Sequence, residues 1–357
     1  MPVDISSELQ AHVIKAAESN MTLQIQGGNS KAFYGNHYDK NQSERLELSG
    51  HMGVTAYEPT ELVISAHAGT PLKEIQSLLD EHQQMLAFEP PAFGDEATLG
   101  GTIACNLSGP RRAYSGAARD FVLGTRILNG KGEILSFGGE VMKNVAGYDV
   151  SRLMAGAMGT LGVILDVSVK TVPKPEVEIT LVQSLNTAEA LKKIHEWAQL
   201  PLPVSATCIN NQQLYIRLSG TEKGVQAAKI ILGGEALENS ESYWLSIKEQ
   251  QADFFLSDKN DTSLWRLSLA SNTPEIELYG DTLYEWGGAL RWIKSSDSAE
   301  NIRNQVMPLQ GHAVRFQNAY DDAFQPLSKP LLKLHQNLKQ SFDPSGILNP
   351  GRLYKNL

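Results

Sequence analysis

Phe88-Glu89-Pro90-Pro91-Ala92-Phe93-Gly94-Asp95-Glu96-Ala97-Thr98-Leu99-Gly100-Gly101-Thr102-Ile103-Ala104-Cys105-Asn106-Leu107-Ser108-Gly109 opens the stretch whose reading decides the fold. Gly147-Tyr148-Asp149 and Gly156-Ala157-Met158-Gly159-Thr160-Leu161-Gly162-Val163-Ile164 close it. Glycine loses more conformational freedom on folding than any other residue, so it does not gather in element interiors without a reason. Repeated Gly beside Thr, Asn and Ser, between apolar runs, suggests main chain laid against an anion or a flat ring. The plainer reading is a set of ordinary turns in a strand-rich domain, since one glycine motif alone is a weak signal. Several in one chain argue harder than any single one.

Working outward, the helical spacing of Leu9, Val13, Ile14 and Ala17 predicts a helix from Ser7 to Ser19. The strand Thr22–Gln26 then runs directly into Gly27-Gly28-Asn29-Ser30-Lys31. A strand feeding a Gly-rich turn can cradle a pyrophosphate on successive N–H groups. It is not a Walker A loop, because the Gly-Lys-Ser/Thr ending is missing. Strands are expected at 46–48 and 61–66, with Thr70-Pro71 as cap and first residue of a helix carrying Leu72, Ile75, Leu78 and Leu79. A strand from 120 to 128 meets the hairpin signal Asn129-Gly130, and 133–137 returns. A short helix at 151–158 and a strand at 162–172 follow. Gly156-x-x-Gly159-x-x-Gly162 precedes that strand rather than a helix, which argues against a Rossmann turn.

Pro173-Lys174-Pro175 marks a boundary, beyond which the Gly-rich style stops. Strands expected at 177–183, 213–219, 264–270, 287–294 and 313–316, with helices at 187–198, 221–232 and 299–307, suggest an antiparallel sheet covered on one face, ferredoxin-like in style. A last helix, 329–340, leads into Phe342-Asp343-Pro344-Ser345-Gly346-Ile347-Leu348-Asn349-Pro350-Gly351.

The totals set bounds. A chain of 357 residues with 41% hydrophobic and 20% charged residues is an ordinary globular protein of about two domains. A net charge of −9 with no basic stretch argues against nucleic acid as a partner. Cys105 and Cys208 read as a reduced pair, and the eight histidines show no metal-ligand spacing, so no metal is expected. The N-terminus lacks a signal-peptide pattern and no run is apolar enough for a membrane span. The expected location is cytoplasmic, with room for peripheral attachment at the inner face of the membrane through partners.

Gly27-Gly28-Asn29-Ser30, the Gly100-Gly101-Thr102 loop with Asn106 and Gly109, and Gly159-Thr160-Leu161-Gly162-Val163-Ile164 resemble the FAD domain of vanillyl-alcohol oxidase-type (PCMH-type) flavoproteins. The Phe342–Gly351 segment is similar to the C-terminal signature of that family. More narrowly, Glu89-Pro90-Pro91, Arg111 to Gly116, Lys143 to Asp149 and Trp286-Gly287-Gly288-Ala289 resemble the family of glycolate oxidase (glycolate dehydrogenase) E subunits.

The resemblance implies an α+β chain: a two-subdomain PCMH-type FAD-binding domain over 1–175, divided near 66/67, then a smaller α+β cap domain over 176–328. Residues 329–357 would return to the flavin. It implies FAD held by Gly27, Gly28, Asn29 and Ser30, by Pro91, and by Thr98, Leu99, Gly100, Gly101, Thr102, Asn106 and Gly109. Gly156, Gly159, Thr160, Gly162, Val163 and Ile164 would hold the adenine side, and Asn349 would reach the flavin from the C-terminus. Asn29 stands where some members carry a histidine bonded to the flavin, so non-covalent FAD is expected. The implied partners are a D-type FAD subunit and an iron–sulfur subunit, and the implied substrate is a small 2-hydroxy acid. The His-rich substrate motif of the hydroxy-acid dehydrogenases has no counterpart between Pro175 and Lys329. The alternatives are a stand-alone FAD-dependent 2-hydroxy-acid dehydrogenase and a flavin-free scaffold.

No catalytic residue is singled out by the pattern. Arg111 and Arg112 could clamp a carboxylate, neutralise a diphosphate or form surface ion pairs. Tyr148-Asp149 could be a site pair, or Asp149 could cap the following helix. Arg291, expected to share a face with Trp286, Leu290 and Trp292, could bind a small acid or belong to a partner interface. Lone histidines such as His67 and His312 read as structural.

Overall fold

The computed structural model describes residues 1–37, 43–139, 149–256, 262–317 and 322–357. Helix α1 (Ser6–Ser19) leads into β1 (Thr22–Gln26), which pairs in parallel with β2 (Ser43–Glu47). The next strands are β3 (Val54–Glu58) and β4 (Val63–His67), followed by α2 (Leu72–Glu81) and the two-residue β5 (Gln84–Met85). Then come α3 (Leu99–Cys105), the single turns α4 (Arg112–Ser115) and α5 (Ala118–Phe121), and the hairpin of β6 (Val122–Leu128) and β7 (Ile134–Gly138). A short α6 (Val150–Met154) precedes β8 (Val163–Lys170), and β9 (Val172–Pro173) pairs with β5.

Strands β3, β4, β8, β6 and β7 form one antiparallel sheet in that order. The break from the β1–β2 pair therefore falls after Glu47. One apolar cluster joins the two layers. It runs from Leu9 and Val13 of α1 through Leu23, Ile64, Ile75, Leu79, Leu99 and Ile127 to Ile347 and Leu348. Leu79 is fully buried, so Leu79→Ala would cost about 2–5 kcal/mol through lost transfer energy and a cavity.

Three local expectations change. Leu99–Cys105 is a helix and not an irregular loop: the Thr98 hydroxyl accepts from the Gly101 amide and caps it. Thr70 does not cap α2; its hydroxyl is taken by Gly53 and by the His67 carbonyl, and Pro71 stands at the cap position. The Asn129-Gly130 hairpin has a five-residue connection, in which the Asn129 side-chain Oδ1 accepts from the amides of Lys131 and Glu133.

The second half is one eight-stranded sheet. Its first four strands are β10 (Val177–Ser184), β11 (Val204–Asn210), β12 (Gln213–Gly220) and β13 (Glu235–Ala236), with α7 (Thr187–Trp197) and α8 (Glu222–Leu232) as crossovers. After α9 (Ser240–Lys248) and α10 (Asp253–Leu256) come β14 (Ser263–Ser268), β15 (Asp281–Glu285), β16 (Leu290–Ser295), α11 (Ala299–Val306) and β17 (His312–Arg315). The sheet order is β13-β10-β12-β11-β15-β16-β14-β17. Each half is therefore ferredoxin-like: numbered within its half, each reads 4-1-3-2 from its outer edge, and the two second strands meet in the middle. Strands β11 and β15 and helix α9 were not expected. β11 and β15 are flanked by Pro and acidic residues that obscure the alternation, and α9 mixes aromatic and polar residues.

Helix α12 (Lys329–Phe342) brings the chain back. The Leu23 amide donates to the Ile347 carbonyl (2.7 Å), and the Asn349 amide donates to that of Leu23 (3.0 Å). The C-terminal segment thus lies beside β1, on the side where the Gly27–Ser30 turn begins.

Candidate cofactor channel and anion site

The turn after β1 is the first piece of the site. The amides of Gly28, Asn29, Ser30 and Lys31 have no hydrogen-bond partner among the described residues, and these residues line a cleft with Thr98, Gly101, Ala104, Cys105, Met158 and Arg352. Unpaired main-chain N–H groups are costly unless water or a ligand takes them. A run of them makes a nest suited to phosphate oxygens.

Neighbouring groups hold the nest in place. Asn349 accepts from the Ile25 amide (2.8 Å) and donates to the Met158 carbonyl (2.7 Å), tying β1 to the Gly156–Gly162 turn. Arg352 donates to the carbonyls of Ala32 (2.9 Å), Tyr34 (2.5 Å) and Asn36. Lys31 donates to the Ala92 carbonyl (3.2 Å); burial lowers its pKa from the usual lysine value. Lys339 binds Asp343 (2.7 Å) and the carbonyls of Thr160 and Leu348, anchoring the tail from below.

The glycines have a second explanation. A Cβ on Gly28 would overlap the Glu96 carbonyl, and one on Gly27 or Gly100 would come within 2.5 Å of Thr98 or Ala68. These glycines are required by chain packed on chain as much as by a ligand. Gly159 combines a φ of +73° with a space already filled by Asn349, so only glycine serves there.

Three cavities join end to end. A narrow one is walled by Gly27, Thr98, Gly100, Gly101, Gly159, Gly162, Ile164 and Asn349. It shares Gly27, Thr98 and Gly101 with the nest, and the nest shares Cys105 and Met158 with a chamber of 610 Å³. That chamber is bounded by Asn106, Arg112 and Gly156 from the first half of the molecule, and by Arg266, Trp286 and His312 from the second. The donor set fits a dinucleotide-like cofactor: free amides, Lys31 and Arg352 for a diphosphate, and a wider chamber beyond for a ring.

Residues 4–138 match the family model described as an FAD binding domain. Over 354 residues the chain is 48% identical to the glycolate oxidase subunit GlcE of Escherichia coli (strain K12), covering 99% of each. The chain belongs to the glycolate oxidase E-subunit family. It is also 42% identical over 94 residues to the glycolate oxidase subunit GlcD of Bacillus subtilis (strain 168), covering 26% of this chain and 20% of that one. A solved structure of an alkyldihydroxyacetonephosphate synthase superposes with a TM-score of 0.67 at 13% identity, covering 98% of this chain and 76% of that one, which shows the shared fold. FAD is the cofactor of the E-subunit chain.

Of the residues singled out in the sequence, Gly27, Gly28, Asn29, Ser30, Thr98, Gly100, Gly101, Asn106, Gly156, Gly159, Gly162, Ile164 and Asn349 line this channel. Pro91, Leu99, Thr102, Gly109, Thr160 and Val163 do not appear in its walls. Leu99 and Val163 are core residues, Gly109 accepts from the Trp286 indole (3.0 Å), and Thr160 offers its carbonyl to Lys339. Lys31, Cys105, Met158, Arg266, His312 and Arg352 line it without having been singled out for it. No local motif marks them, because each reaches the channel from a different element.

Arg111 and Arg112 are neighbours with different fates. Arg111 binds Glu89 (3.1 Å), Glu178 (2.5 Å) and Ser219 (3.0 Å), while Arg217 joins the same Glu89 (2.8 Å) and stacks on Trp244. This clasp locks the first half of the molecule to the eight-stranded sheet. The Glu89 carboxyl, pushed up by burial, is brought below its ordinary pKa by Arg217 and Arg111. Arg112 instead lies over the Trp286 ring, 4.4 Å from its centroid, as does Arg266 at 5.0 Å.

Arg291 is not in the chamber walls. Its guanidinium donates to the carbonyls of Thr273, Pro274 and Gly288 and packs over Tyr284. Leu290 and Trp292 belong to the cluster containing Trp286, so the expected shared face does not exist; strand alternation turns Arg291 the other way. Tyr148 lies outside the described residues. Asp149 caps α6, accepting from the Arg152 amide (3.1 Å). Cys105 and Cys208 are unbridged.

His51, His67 and Asp166 converge closely enough to suggest a metal site, which their spacing in sequence conceals. His51 Nδ1 accepts from the Ile5 amide, and both imidazoles meet one Asp166 oxygen while Arg126 holds the other. Burial raises the Asp166 pKa, but the hydrogen bonds of His51, Arg126 and His67 outweigh it and bring the pKa to about 2. With a guanidinium already neutralising the carboxylate, the cluster is a brace for the N-terminal segment.

Proposed function

We propose that this chain holds FAD without a covalent bond as the E-type subunit of a glycolate (2-hydroxy acid) oxidase, supporting oxidation of glycolate to glyoxylate. The observation carrying the reading is the nest of four unpaired amides opening into a channel that ends at the junction of the two halves. Residues 1–175 with 329–357 act as the cofactor-holding unit and 176–328 as the cover. The amides of Gly28 to Lys31 bind the diphosphate, with Lys31 and Arg352 offsetting its charge. Asn29 supplies no nucleophile for a bond to the ring. Trp286 and Phe324 wall the chamber.

Bound there, FAD supplies the hydride acceptor for the α-carbon of the acid. Electrons then pass to the rest of an assembly whose members we take to be a D-type FAD subunit and an iron–sulfur subunit, on the cytoplasmic side. Among the described residues no helix is long and apolar enough to cross a membrane, which is compatible with attachment through such partners.

The visible spectrum of the chain purified alone tests the reading. A flavin spectrum released by denaturation is expected; absence of flavin that added FAD does not restore would leave only a scaffold role. Anaerobic mixing with glycolate then asks where the acid is oxidised. Bleaching without any partner would favour a stand-alone dehydrogenase, a reading that the cationic chamber supports.

A further inference from the structure

The chamber contains charge that the protein leaves unanswered. The guanidiniums of Arg112 and Arg266 make no hydrogen bond and no ion pair among the described residues. Each is partly buried; burial lowers both pKa values, and the charges of Arg266 and Arg119 lower that of Arg112 further. Stacking on Trp286 compensates a desolvated cation only in part. Tyr34 and Glu285 favour the charged form of Arg266, but neither forms an ion pair or hydrogen bond with it among the described residues; the Glu285 carboxylate oxygen accepts from the Trp292 indole (2.7 Å) instead, and burial pushes that carboxyl up to about 7. His312, in the same wall, is lowered by burial and by Arg266 and Arg303, so it does not answer the charge either. Two guanidiniums with no ion-pair partner among the described residues, in a chamber of a protein with net charge −9, are arranged for an anion that arrives from outside.

We infer that Arg112 and Arg266, held over Trp286, bind the carboxylate of a small 2-hydroxy acid, so that this subunit carries an acid-binding site of its own. The identity of the acid rests on the function proposed above. Guanidinium suits the task because its fork pairs with a carboxylate through two parallel hydrogen bonds. The chamber opens at Cys105 and Met158 onto the channel, which places the acid at the far end from the diphosphate nest. Arg112 comes from α4 and Arg266 from β14, so the site exists only while the two halves are docked. The Arg111 clasp, one residue away, acts as its positioning device.

The test is isothermal calorimetry on the full-length, flavin-loaded chain at low salt, titrated with glycolate and with glycolamide, its neutral isostere. Glycolate binding with no measurable glycolamide binding is expected. R112Q and R266Q should each weaken glycolate by about ten- to hundredfold, the range for losing a charge-assisted hydrogen bond. R266K should fall between R266Q and the unaltered chain, and R152Q, at an exposed position of α6, should change nothing. Melting curves check that each variant is folded, and R266K keeps the question answerable if R266Q is not.

Equal affinity for glycolate and glycolamide, or unchanged glycolate affinity in both glutamine variants, overturns the assignment. So does loss of flavin from R112Q and R266Q with acid affinity intact, which would give the guanidiniums to the cofactor ring. Flavin present with no glycolate uptake overturns this inference alone. Glycolate uptake by a chain that takes no flavin overturns the cofactor reading alone.

Discussion

Arg111 and Arg112 are adjacent in the chain and opposite in circumstance. Arg111 is fully engaged: two carboxylates, a hydroxyl and a neighbouring Arg217 that shares Glu89. Arg112 has an indole face and a second guanidinium nearby. The first arrangement closes on itself and ties β10 and β12 to the loop around Glu89, which adopts a φ of +45° to reach it. The second is open and asks for an anion. Charge of the same kind, one residue apart, is structural where the protein completes it and available where the protein does not.

Breaking the closed arrangement should have the largest effect. Glu89→Ala leaves Arg111 and Arg217 short of an acceptor, and we expect a loss of about 3–5 kcal/mol in chemical denaturation. A change below about 1 kcal/mol would mean that the clasp is a surface ion pair and that the contrast with Arg112 is false.

Glu285 tests the open arrangement from the other side. Its pKa is raised to about 7 from 4.5, chiefly by burial. The folded state therefore holds a proton that the unfolded state has released between these values, and stability falls as pH rises from about 4.5 to 7. Glu285→Gln, which can still accept from Trp292, should remove that slope, stabilising the protein at pH 8 by on the order of 2–3 kcal/mol relative to pH 4.5. An unchanged pH profile would place Glu285 in an ion pair with Arg266 and close the open arrangement.

Asn349→Ala removes the link between the Ile25 amide and the Met158 carbonyl. A cost of about 1–2 kcal/mol is expected, with a weaker hold on FAD measured by flavin release on dilution. Stability lost with FAD retention unchanged would make Asn349 a brace without influence on the nest. The smallest effect belongs to Arg112→Gln. With no ion pair to lose among the described residues and a like charge relieved, thermal stability should shift by less than about 0.5 kcal/mol in either direction. A large drop would show that Arg112 is bound up in the fold as Arg111 is.

Much of the cofactor side was legible. The strand running into Gly27-Gly28-Asn29-Ser30 and the Ile347-Leu348-Asn349 return are local patterns, and the structure places them side by side as read. The stretch 99–105 was misread as a loop because Gly-Gly suggested irregular backbone. The Thr98 cap and the apolar positions Leu99 and Ile103 outweigh that glycine cost in the folded chain. Arg291 was misplaced because a basic residue among tryptophans looks alike on either face of a strand. Arg266 was not singled out and His312 was read as structural, because each stands alone in an ordinary strand.

The sequence alone determined that one part of this chain turns its backbone toward an anion and another builds an antiparallel sheet with crossovers. Those properties depend on glycine, on caps and on periodicity over a few residues. Only the tertiary structure decided which arginine would be free. Whether a guanidinium finds a partner depends on acids contributed from far along the chain: Glu178 and Glu89 reach Arg111, and among the described residues none pairs with Arg112 or Arg266. Charge is written in the sequence, but its neutralisation is a matter of distance.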